Sequence, residues 1–200
     1  MNNVIFGFAA DPQFDRKEAV RLSRLAMRID DSDPESLGWA SLTSAFLVGD
    51  CDGAIEMADR AVALNPNSFP AWNTRGWVYR VAGLPEEAIR SFQRAIRMSP
   101  VDPLLYRTFS GMSFALIELR RFDEAIVAGK KAERQNPWSA TYRCLASAFA
   151  HLGCDAEARE AATRLLELDP TFTITSWIAR GGQLNAKLAI EGLRKAGLPE

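Results

Sequence analysis

The chain has 200 residues with 24 basic and 25 acidic side chains, a formal charge of −1, and 48% hydrophobic and 24% charged content, enough to bury a core in one or two domains. So even a balance provides no net basic face for direct nucleic-acid binding and no disordered acidic tail. Three cysteines without a CxxC pair and a single histidine, His151, exclude a disulfide framework and most zinc sites, so neither a metal nor a cofactor is expected.

In chain order, the first apolar run, Val4 to Ala10, lacks a preceding Lys or Arg and runs into Asp11-Pro12. It reads as neither a signal peptide nor a membrane span, which predicts a cytoplasmic protein without membrane contact. Phe6, Phe8 and Phe14 then lead into Glu18-Ala19-Val20 to Ala26-Met27-Arg28, a lone amphipathic helix without a partner ahead of it. Either the opening residues substitute for that partner, or this end meets a missing domain or a second copy, a homodimer through a terminal face.

From residue 35 one text recurs. Gly53-Ala54-Ile55 to Asn65-Pro66 returns as Glu87-Ala88-Ile89 to Ser99-Pro100, as Glu124-Ala125-Ile126 to Asn136-Pro137, and more weakly as Glu157-Ala158 to Asp169-Pro170. The prolines at 66, 100, 137 and 170 are 34, 37 and 33 residues apart, a period that signals stacked supersecondary units. Each unit reads as two helices. In the second of the clearest unit, Ala88, Ile89, Phe92, Ala95 and Ile96 form one apolar stripe, with Glu86, Glu87, Arg90 and Arg94 on the other side. Pro85 and two acids mark its start, and Gly83 closes a preceding helix over Ala71 to Ala82. The short turns Gly49-Asp50, Gly83-Leu84-Pro85, Arg120-Arg121-Phe122 and Gly153-Cys154 force antiparallel neighbours. His151 stands at a helix end, where a cation is favoured, and no triad can be built without it. No GxGxxG or GxxxxGK[ST] loop is present.

The expected division is an N-terminal segment with a half-repeat helix over 1–34, four units over about 35–68, 69–102, 103–137 and 138–170, and a C-terminal cap over 171–200. In the cap, Phe172 to Ile178 is apolar and β-branched, and Gln183 to Lys195 reads as a helix with Leu184, Leu188 and Leu193 on one side.

The unit from Phe69 carries Trp72, Gly76, Tyr79, Ala88, Phe92, Ala95 and Pro100 at the fourth, eighth, eleventh, twentieth, twenty-fourth, twenty-seventh and thirty-second positions, and so resembles the tetratricopeptide repeat. It departs at Arg75, where that pattern prefers leucine. The first unit keeps Ala54, Ala61 and Pro66; the third Phe109, Ser113, Ala125 and Ala132; the fourth Tyr142, Ala146, Phe149 and Ala158. The resemblance implies an all-α, right-handed superhelical α-solenoid of antiparallel helix pairs. It also implies that certain positions of each first helix line a concave, partner-binding groove. In this sequence these are Trp39 and Thr43 in the first unit, and Asn73, Trp77 and Arg80 in the second. The third contributes Arg107, Ser110 and Phe114, and the fourth Arg143 and Ser147. Either the aromatics form an exposed track, or the neighbouring unit or the C-terminal tail covers them. The lysine and asparagine that chaperone-binding members carry at the fifth and ninth positions of their first repeat are replaced here by Trp39 and Thr43.

A narrower resemblance rests on Leu64-Asn65-Pro66-Asn67, Ala71-Trp72-Asn73-Thr74-Arg75-Gly76-Trp77, Arg97 to Pro103 and the ending Glu191 to Glu200. These look like the C-terminal repeat region of class III adenylate/guanylate cyclase proteins of alpha-proteobacteria, without the cyclase domain. The period, the aromatic groove and the empty catalytic inventory together imply a non-enzymatic scaffold for a protein or peptide of a signalling or regulatory pathway. The alternative is the regulatory arm of a nucleotide cyclase or transcription factor whose output domain is absent from this chain.

Overall fold

The computed structural model describes residues 11–182 and 185–200. Phe6, Phe8 and the tail positions Gln183 and Leu184 lie outside the described residues. Helix α1 (Pro12–Ile29) is followed by four antiparallel pairs: α2 (Pro34–Thr43) with α3 (Cys51–Leu64), α4 (Phe69–Val81) with α5 (Pro85–Met98), α6 (Leu105–Glu118) with α7 (Phe122–Gln135), and α8 (Ser139–His151) with α9 (Asp155–Leu168). A one-turn helix α10 (Ile174–Trp177) and α11 (Lys187–Lys195) complete the chain. π-helical turns, Ser44–Val48 and Ile178–Gly182, extend α2 and α10. Among the described residues there is no strand, and no helix is long and apolar enough to cross a membrane.

Local chemistry sets the helix starts. Asp11, Asp33, Asp50 and Ser68 each accept backbone N–H bonds at the first turns of α1 to α4, and prolines stand at the first turns of α1, α2, α4 and α5. Ser68 is why α4 begins at Phe69, two residues before the predicted start. Turns within pairs need a left-handed residue: Gly49, Gly83 and Gly153 supply it at φ +85°, +80° and +73°, and the third pair forces Arg120 to φ +58°.

The first helices α2, α4, α6 and α8 touch in succession and form the inner layer; α3, α5 and α7 each pack on their own partner and on the first helix of the next pair, and α9 packs on α8. Small residues make this close stacking feasible. Ala54, Ala58 and Ala61 on α3, Ala88 and Ala95 on α5, and Ala125 and Ala132 on α7 are buried, and Phe92 fills the space between layers. Its ring is wedged between two backbones, since a Cβ on Gly76 of α4 or Gly111 of α6 would lie 2.5 Å from it.

Arg75, the departure from the repeat pattern, ties three helices together. Its Nε donates to Asp59 of α3 (2.7 Å), Nη1 to Ser91 of α5 (2.6 Å) and Nη2 to the Tyr79 hydroxyl (3.0 Å), while its guanidinium lies 4.1 Å from the Tyr79 ring centroid. A leucine there would leave Asp59 and Ser91 without this partner.

The tail differs from the expected regular helix over 183–195. Asn185 adopts φ +47°, a left-handed conformation that a helix cannot pass through, and α11 starts at Lys187. Instead of stacking on the last pair as a further unit, α11 lies on α8 and reaches α6, both inner-layer helices, so the chain folds back along its own concave side.

Candidate functional site

The concave layer carries both a docked tail and a cavity. The C-terminal ends of α4, α6 and α8 are held by the tail. The Glu118 carboxylate, at the end of α6, accepts the backbone N–H groups of Leu188 (3.2 Å) and Ala189 (3.0 Å), capping the start of α11. Burial pushes this carboxyl above the usual carboxylate range, against the pull of those two N–H donors. His151 stacks on Phe122 (4.5 Å between centroids, 7° between planes) and its Nε2 lies 2.8 Å from the Leu188 carbonyl, so the ring carries its proton there to donate. Asn185 donates to the Val81 carbonyl at the end of α4 (2.7 Å). Gly192 lets the two backbones meet: a Cβ there would sit 2.7 Å from Ser147 Cα and from its carbonyl oxygen. The hydrogen bonds that hold the tail span 37 to 104 residues of chain.

Beside the tail, residues along all four inner helices line a cavity of about 160 Å³. Seven of the ten predicted groove residues meet there: Trp39, Asn73, Trp77, Arg80, Arg107, Phe114 and Arg143. Trp39 is the most open of them, 41% exposed. Trp77 sits 6.5 Å from Phe114 and 6.0 Å edge-on from Phe92, so it belongs to both the cavity wall and the core. Asn73 accepts from Thr108 (2.9 Å), and Arg107 donates to the Tyr106 hydroxyl (3.0 Å) while lying over Trp138.

Three predicted positions stand elsewhere. Thr43 is buried and donates back to the Trp39 carbonyl (2.9 Å). Ser110 is buried beneath Trp138, whose Nε1 donates to its hydroxyl (2.9 Å), and it also bonds Thr141. Ser147 is buried under α11 at Gly192. All three are small, buried side chains.

The cavity also contains residues that position within a repeat could not announce. Trp138 precedes α8 and packs edge-on against Tyr106 (5.2 Å). Trp177 and Arg180 come from the tail and close one end, with Trp177 stacked on Phe114 (6.0 Å, 25°). The two readings of the aromatics thus divide along the chain, with Phe114 buried against the tail's Trp177 and Trp39 open.

Arg80 and Arg143 are buried in this wall, 4% and 6% exposed. Burial pushes each guanidinium down to about 10, still charged at neutral pH. Arg80 lies over the rings of Phe46, Trp77 and Phe114, and Arg143 over those of Phe172 and Trp177. Such a site can hold apolar groups against rings and anions against guanidiniums. Among the described residues no cluster of three or more His, Cys, Asp or Glu side chains is placed to hold a metal ion.

Comparison with known proteins agrees with this architecture. Residues 43–103 match the family profile of the tetratricopeptide repeat. The chain is 35% identical over 116 residues to the Hsp70-Hsp90 organizing protein of Triticum aestivum, and 30% identical over 93 residues to the small glutamine-rich tetratricopeptide repeat-containing protein 2 of Mycosarcoma maydis. These matches take in 58% and 46% of this chain and 18% and 26% of those proteins, so it spans about a quarter or less of their length. Among solved structures, a thermophilic TPR protein of Thermus thermophilus superposes with a TM-score of 0.69 at 20% identity, over 84% of this chain and 89% of that one. The type IV pilus biogenesis factor PilW gives 0.70 at 18% identity, over 90% and 84%. YrrB, a TPR protein with an unusual peptide-binding site, gives 0.56 at 20% identity, over 87% and 90%. The fold is therefore the tetratricopeptide-repeat α-solenoid.

Proposed function

We propose that this chain is a non-enzymatic interaction scaffold whose concave cavity holds a peptide segment of a signalling or regulatory partner. The observation that carries the reading is the convergence of Trp39, Trp77 and Trp138 from the first, second and fourth units on one cavity beside arginines. Aromatic and arginine side chains in a partly open pocket are the usual anchors of protein recognition. Support also comes from the relatives: one is named as an organizer of two chaperones and one solved neighbour for its peptide-binding site.

The test is photo-crosslinking from position 73 in cells of the source organism, followed by affinity measurement with the captured segment. Trp77→Ala is expected to weaken binding by about 1–2 kcal/mol or more, with helical circular dichroism retained. Unchanged affinity in a folded variant removes the cavity from the reading.

A second reading, the regulatory arm of a larger protein such as a nucleotide cyclase or transcription factor, or a homodimer through the N-terminal face, is favoured by α1. Phe14, Leu22 and Ile29 on that helix are 62%, 48% and 78% exposed, an apolar set that a neighbouring domain or a second copy would cover. Light scattering at high concentration separates these outcomes: a dimer lost in Leu22→Glu supports the homodimer, and a monomer throughout leaves the neighbouring domain.

A further inference from the structure

The chemistry of the cavity narrows what it holds, an inference that rests on the cavity being the binding site. Arg80 and Arg143 are each more than nine-tenths buried and both line the cavity; the Nε–H of each is sealed from solvent and meets no hydrogen-bond acceptor. Buried charge is ordinarily paired, because removing an ion from water costs far more than a ring face returns. The rings around each guanidinium attract it through their faces but offer nothing in the plane where Nε–H points.

Arg75 supplies the internal control. Also on α4, it places Nε and both terminal nitrogens on Asp59, Ser91 and Tyr79. This fold thus gives an acceptor to every nitrogen of an arginine that joins helices, and leaves the Nε of the two that line the cavity without one. The lining adds Arg107 and Arg180 against a single carboxylate, Glu35, so the apolar cleft has a positive excess that draws anions.

The two cations sit in separate ring clusters, Arg80 with Phe46, Trp77 and Phe114 on one side, Arg143 with Phe172 and Trp177 on the other. The clusters join where Phe114 stacks on Trp177. Each guanidinium thus has its own set of rings and its own place for an anion. We propose that the cavity takes an internal partner segment in which two carboxylate side chains flank a bulky apolar one, each carboxylate on one of the two arginines and the apolar group against the tryptophans. The recognised groups are side chains, so a free chain terminus is not required.

The test uses the intact chain and a random library of nonapeptides, N-acetylated and C-amidated, panned on beads; recovered peptides are measured by calorimetry. The expected peptides carry Asp or Glu on both sides of an aromatic or large aliphatic residue. Arg80→Gln and Arg143→Gln are each expected to weaken them at least tenfold, and changing both acids to their amides is expected to do the same on the unaltered chain. Recovered peptides that lack the acidic pair, or that keep their affinity in both variants, overturn this proposal, and the cavity reading still stands if Trp77→Ala abolishes their binding. Recovery of no peptide overturns both. Indole-3-acetate, run as a competitor, overturns the segment in favour of a small organic anion if it binds as tightly as the peptides.

A melting curve of the free protein gives an independent readout. Arg80→Met removes a buried cation whose Nε lacks a hydrogen-bond acceptor, and is expected to raise the melting temperature by about 2–4 °C. A fall would mean that the guanidinium is structural, and would overturn the proposal.

Discussion

At the residue scale, the most demanding side chain is Phe92. It is fully buried and meets the backbones of α4 and α6 where only glycine fits. Its replacement leaves a hole that neither backbone can close, so Phe92→Ala is expected to cost about 3–5 kcal/mol, read from urea denaturation midpoints. Arg120 presents the opposite case. Three of the four turns within pairs use glycine for the left-handed position, and here a side chain is held at φ +58°. Arg120→Gly is expected to stabilise by up to about 1 kcal/mol on the same measurement, the relieved strain exceeding the added freedom of the unfolded chain. The sequence is legible here for apolar residues and stops being so at polar ones. Alanine, glycine and proline at fixed spacing announce close packing and helix ends, because those residue types have few other uses at such positions. Arg75 looks like a mismatch in the sequence because its partners, Asp59 and Ser91, lie on helices that only the stacked fold brings together.

At the element scale, the pairing of helices follows from short turns and one-sided apolar stripes, whereas the course of the tail does not. The residues that hold it, Glu118, His151 and Val81, sit at the C-terminal ends of three different helices, and no local pattern links them to residues 185–192. For the same reason Ser147 reads as a groove residue from its place in the repeat and is in fact the floor under α11. Gly192→Val is expected to lift α11 from α8 while leaving the repeats folded, seen as protease cleavage near residue 185 with little loss of helical circular dichroism. Titration offers a second check on this docking. Glu118 holds its proton more tightly in the folded chain than in the unfolded one, so its contribution to stability is greatest below the ordinary carboxylate value of 4.5 and is lost as pH rises through the elevated folded value. The difference in melting temperature between Glu118→Gln and the unaltered chain is therefore expected to move in the variant's favour as pH rises from 4 to 8.

At the scale of the whole molecule, packing density falls toward the N-terminal end. The large core cluster runs from Tyr79 to Leu198, while α1 contributes only the partly buried Met27 to a small cluster with Leu37, Ala61 and Ala71. A solenoid opens from its weakest interface, so amide exchange is expected to be fastest in α1 and slowest in α6 and α8. The distribution was unreadable from the repeats themselves, whose signatures are of similar strength at residues 54–66 and 125–137; the tail makes the difference by adding a third layer at one end only. That third layer also changes what ligand length can achieve. Being part of the chain, α11 meets the inner helices at an effective concentration on the order of millimolar, which a free peptide seldom reaches. A segment confined to the cavity binds without displacing α11. Each residue added beyond Trp177 must displace contacts that are already made, so affinity should climb with peptide length only as far as the tail and then level off.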